Sequence, residues 1–457
     1  MAYADDVKPA ISCMEEFDLV DRACTLLERA SGVKLHRNPD SGKVKFMALG
    51  RWRGTLTQED LPHQYVRLSD HLDFVGVELR SNFTQTRKAN GDILQSRIKN
   101  TVGPWKAGRF MPLSQRSFSA NCYALSKVWF KCSSVNLRVQ DQNTITSQIK
   151  SWLYQDLLIK PSELVLYRST ENGGLGLLNV SIRSLALLIR SFLETSINPN
   201  FRHSLLHEHL YRYHVLGEHT LPDPGFTPYY DKDFFSLIQH YKASTSLNIT
   251  TMSIKHWYTM LLEDKVLMSP ATQEEPAALL PIRAESKHPN TDWTQVWEIT
   301  RTRGLGPELI SFQLKMLHEL FPTQERLARL NLNEDNPGLC LHCRLETEDQ
   351  VHALFDCIKN MGVGLALLGC AQQVLPDMSA EAAVLLDFQR CLPEEENLAL
   401  QCILVTGMKY IWETRLAKKV VAKFRMRAEM EAKVSILRTT RFQSSAVRMA
   451  ELISTLE

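Results

Sequence analysis

A chain of 457 residues with 44% apolar and 23% charged side chains and a formal charge of +2 has the length of about three domains and the composition of an ordinary globular protein. Asp5, Asp6 and Lys8 stand where a signal peptide needs an apolar core, and no stretch of about 18 or more uncharged apolar residues follows, which argues against membrane association. Ten cysteines without framework spacing predict a reducing compartment, nuclear or cytoplasmic, because disulfides are rare there.

The first candidate site is Tyr3-Ala4-Asp5-Asp6. Adjacent aspartates are commonly solvated turn residues. At a hairpin tip the same carboxylates would supply the hard oxygen ligands that hold magnesium ions for two-metal nucleotidyl transfer. From Met14 to Ala30, Phe17, Val20, Cys24 and Leu27 recur at helical spacing, and Ser31-Gly32 supplies a C-terminal stop. Val44 and Phe46 alternate with Lys43 and Lys45 as in a strand, and Phe74-Val75-Gly76-Val77 forms a second β-like run. Phe118, Cys122, Leu125 and Trp129 predict a helix, Ile145, Ile149 and Trp152 another. Gly173-Gly174-Leu175-Gly176-Leu177 reads as a tight turn, since it lacks the Lys-Ser/Thr or ribose carboxylate partners of nucleotide loops, and a helix carrying Leu185, Leu188, Ile189 and Phe192 follows. Cys24, Cys122 and Cys402 read as buried apolar residues.

Two breaks come next. Leu221-Pro222-Asp223-Pro224-Gly225 is the smaller; in Met268 to Asp292, Pro270, Pro276, Pro281 and Pro289 predict a linker without regular structure. Beyond it, Cys340, Cys343, His352 and Cys357 form Cys-x2-Cys-x8-His-x4-Cys. Two cysteines separated by two residues suit one knuckle of a zinc site, and His352 and Cys357 are expected to face the same way on a helix, closing a structural tetrahedron. His342 is a competing ligand, and simple burial of reduced cysteines is the plainer alternative. Lys409, Arg415, Lys418, Lys419, Lys423, Arg425, Arg427, Lys433, Arg438, Arg441 and Arg448 then face only Glu413, Glu429 and Glu431 locally. Trp412, Leu416, Val420 and Phe424 repeat every four residues, predicting one helix with a packed face and a cationic remainder. Such a surface is either solvated or binds phosphates, with Lys418, Lys419, Lys423, Arg425 and Arg427 as the candidate nucleic-acid contacts.

The order of Tyr-Ala-Asp-Asp turn, helix, Ala30-Ser31-Gly32-Val33-Lys34-Leu35, strand and Phe74-Val75-Gly76-Val77 resembles the palm of a non-LTR (LINE-type) retrotransposon reverse transcriptase. Leu113-Ser114-Gln115-Arg116 is similar to the start of that family's thumb, and Pro322-Thr323-Gln324-Glu325-Arg326-Leu327 resembles the segment before its C-terminal Cys/His module. The resemblance implies an RNA-directed DNA polymerase with Asp5 and Asp6 as catalytic magnesium ligands, Phe74 to Val77 as primer grip, a structural zinc, and RNA and DNA as partners. It implies an α+β, mostly helical fold, divided as a partial palm (1–100), a thumb-like helical region (101–220), a connector with a Pro-rich linker (221–290), a zinc-binding helical module (291–370) and basic C-terminal helices (371–457). A working palm also needs a further carboxylate from an upstream strand and fingers, so the expectation is a fragment of the transposable element, inactive alone. The alternative is a zinc-dependent nucleic-acid- or protein-binding remnant with no enzymatic role.

Overall fold

The computed structural model of the chain describes residues 11–32, 34, 37–41, 43–49, 52–74, 76–105, 111–155, 157–197, 205–218, 232–245, 248–267, 279–301, 304–332, 336–387 and 392–456. They are mostly helical, with two small two-stranded sheets, in agreement with the expected α+β, mainly helical class. Asp5, Asp6 and Val75 lie outside the described residues, as do the Pro222-Asp223-Pro224 break and Pro270 and Pro276. Among the described residues no helix is long and apolar enough to cross a membrane. The chain divides into two compact units.

The first unit comprises Met1–Val102, Tyr123–Gln148 and Asn179–Leu261. Its first helix runs Glu16–Ser31, and Gly32 at φ 75° donates its N–H to Glu28 O at 2.9 Å, a left-handed stop that a residue without Cβ adopts at little cost. Phe17 packs with Leu61 and Val66, whereas Leu27 of the expected stripe is exposed and Cys24 only half-buried. Strand β1 (Val44–Phe46) follows as the alternation predicts and pairs in parallel with β2 (Val66–Leu68). Phe74 to Val77 is the link of a hairpin rather than a continuous strand. Strand β3 (His71–Phe74) pairs antiparallel with β4 (Val77–Arg80), Phe74 against Val77, and Gly76 at φ 77° supplies the positive φ of a two-residue connection. The free edge of β4 is sealed by Asn90 of the helix Phe83–Val102. Its amide donates to Glu78 O at 2.7 Å and accepts from Glu78 N–H at 3.1 Å, while the buried Lys131 ammonium donates to the same Asn90 oxygen at 2.8 Å.

The stripe expected at Phe118, Cys122, Leu125 and Trp129 is rotated. A wide i→i+5 turn at Ala120–Leu125 shifts the helical register, so that Phe118 and Cys122 are exposed while Ala124, Leu125 and Val128 are buried. Ile145, Ile149 and Trp152 are buried as the spacing requires.

The second unit comprises Gly103–Cys122, Ile149–Leu178 and Leu262–Glu457. Its glycine-rich segment is the tight turn the sequence predicts: Leu175 N–H donates to Val165 O at 2.7 Å and Leu177 N–H to Leu166 O at 3.0 Å. A Cβ at Gly174 would lie 1.9 Å from Arg168 O, which accounts for the missing side chain. Part of the expected linker is ordered instead. Between Pro281 and Pro289 the chain forms a one-turn helix, Arg283–Lys287, with Ile282 and Ala284 buried and Glu285 paired to Arg168 at 2.8 Å. The prolines bracket this turn, where their fixed φ is tolerated, rather than interrupting it.

The core of this unit runs from Leu305 to Leu456 and draws on both 291–370 and 371–457. At its centre is the helix Glu394–Leu416, in which every residue from Leu398 to Met408 is buried. A helix buried all round needs partners on every side, and here they are the helices Pro307–Leu317, Met361–Gln372, Lys423–Arg438 and Gln443–Ile453. Each fully buried Leu, Ile or Val contributes about 1.5–3 kcal/mol of transfer free energy. This core anchors the segments that carry the cysteines.

Candidate metal centre

The first two cysteines sit on a turn pinned at both ends. Leu339 bridges Thr347, Cys340 N–H donates to Glu346 O at 2.8 Å and Arg344 N–H returns to Cys340 O at 2.9 Å. Arg344 adopts φ 58° and Gly338 φ 101°, the left-handed conformations that let so short a loop reverse. The turn leans on the Pro322-Thr323 segment. Thr323 caps the helix Gln324–Arg329 by accepting from Arg326 N–H, and the buried Glu348 accepts from Gln324 N–H at 3.3 Å and Leu341 N–H at 3.2 Å.

His352 and Cys357 meet through a conformation that spacing alone does not reveal. On an α-helix, residues five apart point roughly 140° away from each other, so the expected α-helical pair would diverge. The chain instead makes a wide turn, His352–Asp356, closed by an i→i+5 bond from Cys357 N–H to His352 O at 2.8 Å. The extra residue per turn brings the two side chains to one side. Asp349 starts the turn by accepting from His352 N–H at 2.7 Å. The following helix, Met361–Gln372, seats directly on it, since a Cβ at Gly364 would lie 2.8 Å from Leu354 O and from Phe355 Cα.

Cys340, Cys343, His352 and Cys357 thereby converge, with one ligand atom from each and all of these atoms within 4.8 Å of one another. The Cys340 and Cys357 sulfurs are 3.8 Å apart, and the Cys343 sulfur is 3.4 Å from His352 Nε2. A tetrahedron with metal–sulfur bonds of about 2.3 Å and a metal–nitrogen bond of about 2.0 Å has edges of roughly 3.8 and 3.5 Å. The donor set therefore fits a metal ion and is compatible with zinc. His352 Nδ1 lies 3.0 Å from Glu346 Oε2, an arrangement in which Nδ1 carries the proton and Nε2 offers its lone pair to the cluster. Burial pushes the Cys357 thiol up to about 12. Burial opposes ionisation of Cys343 too, yet the N–H groups of Leu345 and Glu346, then Cys340 and His352, bring it down to about 6. His342, the competing ligand, turns away: its Nε2 lies 3.2 Å from Arg415 O.

Behind the cluster lies an ion pair that the sequence does not advertise. Arg415 and Glu348 are 4% and 2% exposed and in direct contact, and Arg415 Nη2 is 3.6 Å from Cys340 Sγ. Its cation faces the thiols, while Glu348 ties the knuckle to the end of the central helix. In sequence, Arg415 is one of a run of basic residues, and Glu346 and Glu348 are ordinary loop acids; only a marker linking 415 to 348 would have revealed the pair.

The basic C-terminal segment differs from its expected single helix. The helix Glu394–Leu416 stops there: Lys418 takes φ 53°, its N–H donates to Arg415 O at 2.9 Å and Lys419 N–H to Thr414 O at 3.0 Å. This is a Schellman closure with lysine at the position usually held by glycine. A new helix begins at Lys423 and runs to Arg438, burying Met426, Met430, Val434 and Leu437. Of the expected apolar stripe only Trp412 is buried; Leu416, Val420 and Phe424 are 58%, 85% and 70% exposed. Several cations are also offset from elsewhere in the chain, Lys409 by Glu308 at 2.9 Å and Arg448 by Glu396 at 3.3 Å, and Arg427 pairs with Glu431 at 2.9 Å. Lys418, Lys419, Lys423 and Arg425 are exposed on the segment between the two helices and the first turn of the second. Of the hairpin residues, Phe74 is exposed and Val77 buried.

The sequence matches no protein-family model, and a search of curated proteins finds no relative.

Proposed function

We propose that the chain is the C-terminal part of a non-LTR retrotransposon RNA-directed DNA polymerase and that its second unit binds RNA or DNA through a basic surface supported by one structural zinc ion. The observation that carries this reading is the union of a four-ligand Cys/His cluster with a cationic segment: Arg415 touches Cys340, and Lys418, Lys419, Lys423 and Arg425 follow it at the surface. Zinc bound there would act as a crosslink, because four protein ligands leave no position open for a substrate or water. Cys340, Cys343, His352 and Cys357 would hold it, Glu346 would orient His352, and Arg415 would offset the thiolate charge. Polymerase chemistry in the complete enzyme would fall to Asp5 and Asp6 with magnesium, and Phe74, Gly76 and Val77 form a hairpin of the kind that could support a primer end.

Nucleic-acid binding by this surface is sequence-tolerant, since cations displace condensed counterions whatever the bases. Anisotropy titrations of the full chain with a labelled single-stranded RNA at several salt concentrations test it. The expected log–log slope is steep. A Lys418→Gln/Lys419→Gln/Lys423→Gln variant flattens it by about 2, at about 0.7 per phosphate contact on a single strand. A variant that keeps the wild-type slope rejects this segment as the contact surface.

A further inference from the structure

Resting on the nucleic-acid reading above, we infer that Phe424 is a base-stacking platform, and that the segment Leu416 to Arg425 selects single-stranded RNA or DNA over duplex. A soluble surface tolerates an isolated exposed apolar residue, but here Leu416, Val420 and Phe424 are 58%, 85% and 70% exposed within a single short segment. Among the described residues no helix or strand covers them, and the segment is held in that posture. Lys418 and Lys419 close the preceding helix, Val421 inserts into the core, and Ala422 N–H donates to Tyr410 Oη at 3.3 Å. The backbone is fastened, and the aromatic and aliphatic side chains are presented outward.

The charges around them identify the occupant. Lys418, Lys419 and Arg425 have no carboxylate within 4.0 Å among the described residues, unlike Lys409, Arg427 and Arg448 nearby. The Arg425 guanidinium lies over the Phe424 ring, 5.7 Å from its centroid. Arginine stacked on an aromatic face leaves the opposite face for a planar, electron-rich partner. A partner that offers flat apolar faces alternating with regularly spaced anions fits this pattern, and an unpaired nucleic-acid strand is such a partner: bases stack on aromatic rings while lysines track the phosphates. In a duplex the base faces are occupied by one another, so only the lysines can act.

Phe424→Ala in the full chain separates the two contributions. The expected result is a loss of at least about fivefold in affinity for single-stranded RNA or DNA, with the salt slope and the affinity for a duplex of the same length unchanged. Phe424→Trp should restore single-strand binding. Because the side chain is exposed, thermal unfolding of both variants should match the wild type. If Phe424→Ala binds single strands as the wild type does, or weakens single strand and duplex equally, the stacking inference is overturned while the cationic surface stands. If the wild-type chain binds neither, the nucleic-acid reading itself fails and the inference with it.

Discussion

A Cys340→Ser/Cys343→Ser variant should contain no zinc and should lose the fold of the turn from Gly338 to Glu348, while the wild type carries one zinc per chain. Serine keeps the size and removes the thiolates, so the change acts on the metal rather than on packing. Leu341 and Leu345 are exposed, so the turn gains little from apolar burial and is held by the ligand cluster and by the polar contacts of Glu348 with Gln324, Leu341 and Arg415. Apparent zinc-binding energies of about 10–16 kcal/mol in small structural sites match or exceed the total stability of a typical domain, about 5–15 kcal/mol. The loss should therefore spread. Cys340 and Cys357 are fully buried, and His352–Asp356 packs under the helix Met361–Gln372, so thermal unfolding should broaden and begin at lower temperature. Elemental analysis of the purified variant, with limited proteolysis around the turn, checks the expectation. Full zinc content in the variant would show that the ligands lie elsewhere.

The second large effect concerns the pair behind the cluster. Arg415→Ala should destabilise the chain by about 3–5 kcal/mol, because it strands the buried Glu348 carboxylate without its cation. Glu348 keeps the N–H groups of Gln324 and Leu341, but two amide donors do not replace a guanidinium. An Arg415→Met/Glu348→Gln variant should recover part of the loss, since a neutral amide leaves no unpaired buried charge and keeps an acceptor for the Gln324 and Leu341 N–H groups. Urea unfolding of the wild type, both single variants and the double variant measures the coupling. Additive losses would show that the two residues do not act as a pair.

How much of this was legible in the sequence varies with the physics behind each part. The convergence of Cys340, Cys343, His352 and Cys357 was, because soft metal donors at close spacing show in the letters and do not depend on the rest of the fold. The turn that makes His352 and Cys357 meet was not. A single extra residue in a helical turn leaves no mark in the letters, and the same cause rotated the stripe at Phe118 and Cys122. At the first helix, Gly32 announced its stop, as glycine does when φ must be positive. The stop at Ala417 is built on Lys418 instead, so the four-residue recurrence of Trp412, Leu416, Val420 and Phe424 suggested a continuous helix across a break. Arg415 was hidden for a different reason: a cation among cations looks solvated until the chain is folded, and only the tertiary structure brings Glu348 to it. The prolines between 270 and 289 suggested a linker without regular structure, and nothing in the letters showed that the helix Arg283–Lys287 would form there with Glu285 paired to Arg168.

In the proposed reading Cys340, Cys343, His352 and Cys357 together hold one zinc ion at the base of the basic surface. Zinc-edge X-ray absorption of the purified full chain tests it most directly. The expected spectrum is that of a four-coordinate ion with three sulfur neighbours at about 2.3 Å and one nitrogen at about 2.0 Å. An oxygen-rich shell, or a chain that takes up no zinc, would contradict it.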